Sequence, residues 1–235
     1  MTFQDRVDAG RRLARRLSHL RGCDAVVLGV ARGGVPVAFE VAGALDTPLD
    51  VVVTERVADP FLSGQTIGAL AEGGVRVFDA SALRRAGIAP DNLDALTKEL
   101  GAGVDRRARA MRAGRAPLSL AGRTAVIVDD GVATAASARA AARAVRARGA
   151  GRVVLAVPVA AADVLVGLAD EIEETVCVER CPWMTGISGW YRDFPSVTDR
   201  EVAKIVRTAG MRSPYREPRP EHRRGPTPVD APRAA

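Results

Sequence analysis

The chain has 235 residues, 47% of them apolar, and a formal net charge of +6; that length buries one substantial core and leaves little room for a second full domain. No apolar run reaches the roughly 18 to 20 residues of a membrane span and the first residues lack a signal-peptide core, so a cytoplasmic location without a membrane partner is expected. Lysine occurs only at Lys98 and Lys204, and from Ala209 onward the arginines outnumber Glu217, Glu221 and Asp230 enough to supply half the net charge, which disfavours nucleic acid as a partner of the body.

In chain order, residues 5–20 place Val7, Leu13, Leu17 and Leu20 at helical spacing beside a set of arginines, which predicts an amphipathic helix with a solvated arginine face. AVVLGV, residues 25–30, is a continuous apolar run of strand length, as in a strand covered on both faces. A helix over about 35–44 follows. Similar runs at 49–57, 124–130, 152–159 and 174–179 predict four more strands. Between the runs at 124 and 152, SARAAARAVRARG reads as an alanine-rich helix with Gly149 placed to end it. Its Arg139, Arg143 and Arg146 fall on one stripe and are expected to be its wet face.

Strands alternating with helices imply an α/β fold with a doubly wound, mainly parallel sheet. Residues 58–120 break the alternation and predict an inserted hood subdomain within a domain spanning 1–207. Residues 208–235, rich in proline and arginine, predict a disordered tail.

In such a sheet ligands bind beyond the carboxyl ends of the strands. AVIVDDGVATAAS, residues 125–137, ends a strand on Asp129 and Asp130. Adjacent carboxylates repel and are costly to desolvate unless a cation, a hydrogen-bond network or a polyol meets them. The chain then turns through Gly131, Val132 and Ala133, and Thr134, Ala135, Ala136 and Ser137 open a helix. Free amides there favour a phosphate, and small side chains let it approach; the stretch is shaped for a ribose 5-phosphate. An ordinary capped turn would look similar but needs one carboxylate, not two.

ARGGVP adds Arg32, a cationic fork suited to phosphate, with the exposed amides of Gly33 and Gly34. Arg56 ends the second strand near the same edge. Together these suit a ligand with a pyrophosphate at one end and a monophosphate at the other. Trp183, Trp190 and Tyr191 could stack on a base or plug the sheet edge, and the plug is the expectation. Cys23, Cys177 and Cys181 are expected as reduced thiols, since CVERC lacks a second ligand pair for zinc.

Four apolar residues, two acidic residues and a small-residue loop with Thr and Ser resemble the signature of type I phosphoribosyltransferases for 5-phosphoribosyl 1-pyrophosphate (PRPP). The likeness extends to bacterial phosphoribosyltransferase-domain proteins through ARGGVPVAFEVAGAL, IGALAEGG, LAGRTAVIVDDG and GWYRDFPSVTDREV, covering roughly residues 5–207. The resemblance implies transfer of ribose 5-phosphate from PRPP to a nitrogenous acceptor, with magnesium and with release of diphosphate. It implies diphosphate on Arg32, Gly33 and Gly34 near Arg56, and ribose hydroxyls on Asp129 and Asp130, which also reach the metal through water. The 5-phosphate would lie in the loop from Ala133 to Ser137, with Gly131 and Val132 also at the PRPP site, and Arg32, Asp129 and Asp130 would carry the catalysis. A non-catalytic PRPP or nucleotide sensor on the same fold is the alternative, and a homodimer is left open. The chain departs from the pattern at three places. Ala135 stands where the family has glycine, Glu55 stands where relatives carry a basic residue, and Ala133 replaces the aspartate of purine-salvage enzymes. An acceptor other than hypoxanthine or guanine is therefore expected.

Overall fold

The apolar runs become strands because layers of helix cover both their faces. The computed structural model describes residues 2–59, 65–88, 90–184 and 186–212. Its elements are α1 (Arg6–Arg16), β1 (Ala25–Ala31), α2 (Gly34–Leu45), β2 (Leu49–Ala58), β3 (Thr66–Ala71), β4 (Val75–Phe78) and α3 (Ala80–Arg85). They continue with α4 (Pro90–Met111), β5 (Thr124–Val128), α5 (Ala135–Ala147), β6 (Arg152–Ala161), α6 (Ala162–Val166), β7 (Glu174–Cys181) and α7 (Asp199–Arg212). Along β1, Val26, Leu28 and Val30 pack into the layer of α5, while Ala25 and Val27 pack into the layer of α1 and α2. Successive residues alternate between faces, so an unbroken apolar run is what a two-sided burial demands.

The strands form one seven-stranded sheet in the order β4-β3-β2-β1-β5-β6-β7. β1 pairs parallel with β2 and β5, and β5–β6 and β6–β7 are parallel as well. The chain order reverses at β1, and α2 and α5 leave β1 and β5 towards opposite faces. A crevice therefore opens between the carboxyl ends of β1 and β5, where doubly wound sheets place their ligands.

Residues 58–120, expected as an inserted hood, supply β3, β4, α3 and α4. β3 pairs antiparallel with β2 over Thr54–Ala58, and β4 pairs antiparallel with β3. The hairpin turns at Gly73 and Gly74, both at positive φ (78° and 76°), a conformation that glycine adopts without steric cost. Ile67 and Leu70 then join the core under α4, with Val104, Ala108 and Met111. The physical reason is the free edge of β2, whose unpaired amides and carbonyls the hairpin satisfies. α7 runs on through 208–212, five positions assigned to the tail; the remainder of that tail lies outside the described residues. Among those described, no helix is long and apolar enough to cross a membrane.

Candidate functional site

The ends of β1, β2 and β5 and the start of α5 enclose a cleft of about 280 Å³. Arg32, Glu55, Arg56, Asp129, Asp130, Gly131, Val132, Ala133, Thr134 and Ser137 all line it, joined by Arg107 from α4. Four of the expected residues lie off this wall. Gly33 and Gly34 sit beneath the acid pair, and Ala135 and Ala136 face a neighbouring hollow between α5 and the β3–β4 hairpin.

The two glycines explain how the loop after β1 approaches the end of β5. A Cβ on Gly33 would lie 2.0 Å from Asp130 Oδ2, and one on Gly34 would lie 2.5 Å from the Val128 carbonyl oxygen and 2.8 Å from Asp129 Cα. Only hydrogen fits at either position. The Asp130 amide donates to Asp129 Oδ1 at 2.8 Å, and the Tyr191 hydroxyl donates to the Asp130 carbonyl at 2.6 Å. Asp130 Oδ2 accepts from Arg6 Nε at 2.9 Å, both side chains being buried. Burial pushes the Asp129 carboxyl well above the ordinary carboxylate range, and the neighbouring Asp130 charge adds to the shift. The pair is therefore asymmetric, since Asp130 has a buried cation and Asp129 does not.

The cations are placed differently. Arg32 is more than half exposed at the cleft mouth, 3.6 Å from Asp199 at the start of α7. Arg107 forms an ion pair with Glu55, so the acidic residue that departs from the family pattern brings its own neutralising cation into the cleft. At the phosphate-shaped loop, Thr134 is the N-cap of α5 in extended backbone, and its side chain makes no capping bond. The first amides of α5 are thus without a side-chain acceptor, which leaves them and the helix dipole for an anion. Ala135 begins the helix and is absent from the positive-φ residues. The strain that a Cβ would cause in a left-handed loop does not arise.

Two surface expectations change. Arg6 is buried rather than on a wet face, because it lies three, four and seven residues before Ala9, Gly10 and Leu13 on the buried stripe of α1; that spacing was the available signal. Tyr191 and Trp190 plug the sheet edge with Phe3 and Val159, but Trp183 is 74% exposed. Arg139, Arg143 and Arg146 lie on the surface of α5 as expected, and pair there with Glu171 and Glu173. The cysteines are free thiols, and burial pushes Cys177 up to about 11. Among the described residues no three His, Cys, Asp or Glu side chains are grouped to hold a metal. The acid pair alone offers a divalent cation too few oxygens, so a cation here would complete its shell from ligand and water.

Residues 3–182 match the family model described as the phosphoribosyl transferase domain. Two proteins from Mycobacterium tuberculosis strains, CDC 1551 / Oshkosh and ATCC 25618 / H37Rv, each named "Putative phosphoribosyl transferase", are 44% identical over 204 residues. The alignment covers 87% of this chain but 46% of theirs, so the chain spans about half the length of these relatives. A crystal structure of a protein from Thermus thermophilus superposes with a TM-score of 0.73 at 39% identity, over 88% of this chain and 98% of that one. The match of family model, sequence and fold, each over most of the chain, makes this chain a member of the phosphoribosyl transferase domain family.

Proposed function

We propose that the cleft binds PRPP and that the protein transfers its ribose 5-phosphate to a nitrogenous acceptor. One observation carries the reading: a cationic turn, a pair of carboxylates and an uncapped helix N-terminus line a single cleft. The 5-phosphate would take the first amides of α5, the ribose hydroxyls the acid pair, and the diphosphate Arg32 with the amides of Gly33 and Gly34.

In the reaction the bond from the anomeric carbon to the diphosphate oxygen breaks, its electron pair leaving with diphosphate. A bond to the acceptor nitrogen forms, and that nitrogen releases its proton. Arg32 and Arg56 offset charge gathering on the leaving group, while the Asp130 side chain, held by Arg6, faces a ribose whose anomeric carbon becomes cationic. Magnesium, reached by Asp129 and Asp130 through water, would supply further charge neutralisation on the diphosphate. The sensor alternative drew on Ala135 and Glu55; ordinary helical backbone at the first and the Arg107 partner of the second weaken that case.

Calorimetry with PRPP and magnesium, followed by a screen of purine, pyrimidine and other nitrogenous acceptors for diphosphate release, tests the proposal. We expect saturable binding that Asp129→Asn combined with Asp130→Asn abolishes while the fold persists. Release is expected with an acceptor other than hypoxanthine or guanine. No PRPP binding by the wild type would overturn the reading, and binding without release to any acceptor would favour the sensor.

A further inference from the structure

Arg6 uses three faces of its guanidinium. Nε donates to Asp130 Oδ2 at 2.9 Å, Nη1 donates to the Pro195 carbonyl at 2.6 Å, and the group lies 3.7 Å from the centre of the Phe194 ring. Only a planar fork satisfies these demands together. The side chains of Arg6 and Asp130 are each 10% exposed. The first turn of α1 is fixed by Asp5, whose side chain accepts from the Asp8 amide. A strap fixes the other side: the Phe3 amide donates to Trp190, and the Arg192 and Asp193 amides donate to Phe3 and Gln4. Pro195, Phe194 and Tyr191, which all support this arrangement, lie beyond the span matched by the family model.

A buried ion pair of this kind is weak grounds for stability, because packed apolar residues often stabilise as well. Its location gives it another use. Arg6 donates to Oδ2 of a side chain that lines the cleft, and the Asp129 carboxyl is the other side chain in hydrogen-bond contact with the Asp130 carboxylate, which leaves Oδ1 without a cation of its own among the described residues. We infer that Arg6 is a positioning residue of the site: clamped between Phe194 and Pro195, it holds Asp130 so that Oδ1 is presented to a vicinal hydroxyl of a bound phosphosugar. The inference rests on the proposed PRPP reading. Arg6 itself touches no ligand and acts through Asp130.

The test compares two ligands by titration at fixed ionic strength, PRPP with magnesium and inorganic phosphate. Phosphate at the α5 N-terminus needs no carboxylate, whereas PRPP presents the hydroxyls. Arg6→Gln should weaken PRPP binding tenfold or more and leave phosphate within twofold, with Arg6→Lys recovering part of the loss by restoring the charge. Phe194→Leu keeps both charges but removes the clamp; it should weaken PRPP at least threefold and serves if Arg6→Gln does not fold. Equal losses for both ligands would mark Arg6 as a purely structural residue and overturn the inference. So would unchanged PRPP affinity in the folded variants. A wild type that binds no PRPP overturns the functional reading and this inference with it, an outcome visible before any variant is made.

Discussion

Gly33 shows how little room the acid pair leaves. Its φ of −64° is ordinary helical backbone, so alanine is forbidden there only by the Asp130 carboxylate 2.0 Å from the added Cβ. Gly33→Ala should cost about 1 to 3 kcal/mol in urea unfolding, as overpacking does, and should displace Asp130 enough to lose PRPP binding. Gly43→Ala, inside the α2 that Gly33 caps, meets nothing within 4 Å and should be neutral or stabilise by up to about 1 kcal/mol; equal effects of the two changes would refute the steric argument. Asp129 makes the complementary case in charge. Its folded-state carboxyl is raised by burial and then by Asp130, so the folded protein holds that proton more tightly than the unfolded chain. The stability this contributes is fully present below the unfolded value of about 3.9 and is lost as pH rises through the raised value. Asp129→Asn mimics the protonated form, so in magnesium-free buffer it should melt above the wild type at pH 8, with the difference shrinking as pH falls towards about 4. A pH-independent difference would mean the carboxyl is not desolvated. Both aspartates and Arg32 were legible in the sequence because a strand end is a local event. The ion pair of Arg6 was not, since its partner lies 124 residues away.

At the scale of elements, α5 combines a stable helix with an unfinished start. Its alanines need no help to be helical, and Gly149 at φ 88° follows its end, as the sequence predicted. What the sequence left ambiguous was whether Thr134 caps the helix or leaves its amides open; it makes no capping bond. Thr134→Asp would supply a carboxylate to those amides. It should stabilise the protein by about 0.5 to 1 kcal/mol and weaken both phosphate and PRPP by competing for the same donors. Thermal melting and titration read the two effects, and a stabilised variant with unchanged anion affinity would show that the anion binds elsewhere. Ala135→Gly should bring no gain in affinity, because the residue already adopts helical backbone. The β3–β4 hairpin was harder to foresee. TIGALA and VRVF are short, and their pairing depends on the free edge of β2, which no local pattern announces.

Across the whole molecule, a buried ion network outside the cleft helps to hold the sheet to residues 58–120. Asp50, near the start of β2, accepts from Arg112 Nε at 2.8 Å, from Arg148 Nη2 at 3.0 Å and from the Leu118 amide at 3.1 Å. Arg112 also donates to both oxygens of Glu72 and to the Val51 carbonyl, so one buried network joins β2, the end of β3, the end of α4 and the end of α5. None of this was legible, because a buried Asp50 inside LDVVVTERV looks like any charged residue flanking a strand until its distant partners are known. Asp50→Asn keeps the shape and removes the charge that two arginines share. Arg112 keeps Glu72 while Arg148 loses its carboxylate, so the cost is about 1 to 3 kcal/mol, below that of a wholly uncompensated buried charge and still a large part of the roughly 5 to 15 kcal/mol that keeps a domain folded. Urea unfolding should show that loss, and at a temperature where the variant remains folded its PRPP affinity should stay within twofold of the wild type. Glu72→Gln, which leaves Arg112 its Asp50 partner, should show the same separation with a smaller loss. A stability loss below about 1 kcal/mol for Asp50→Asn would mean the network is solvated rather than buried. A parallel fall in PRPP affinity would mean that α4 transmits the change to the cleft through Arg107, which lines it.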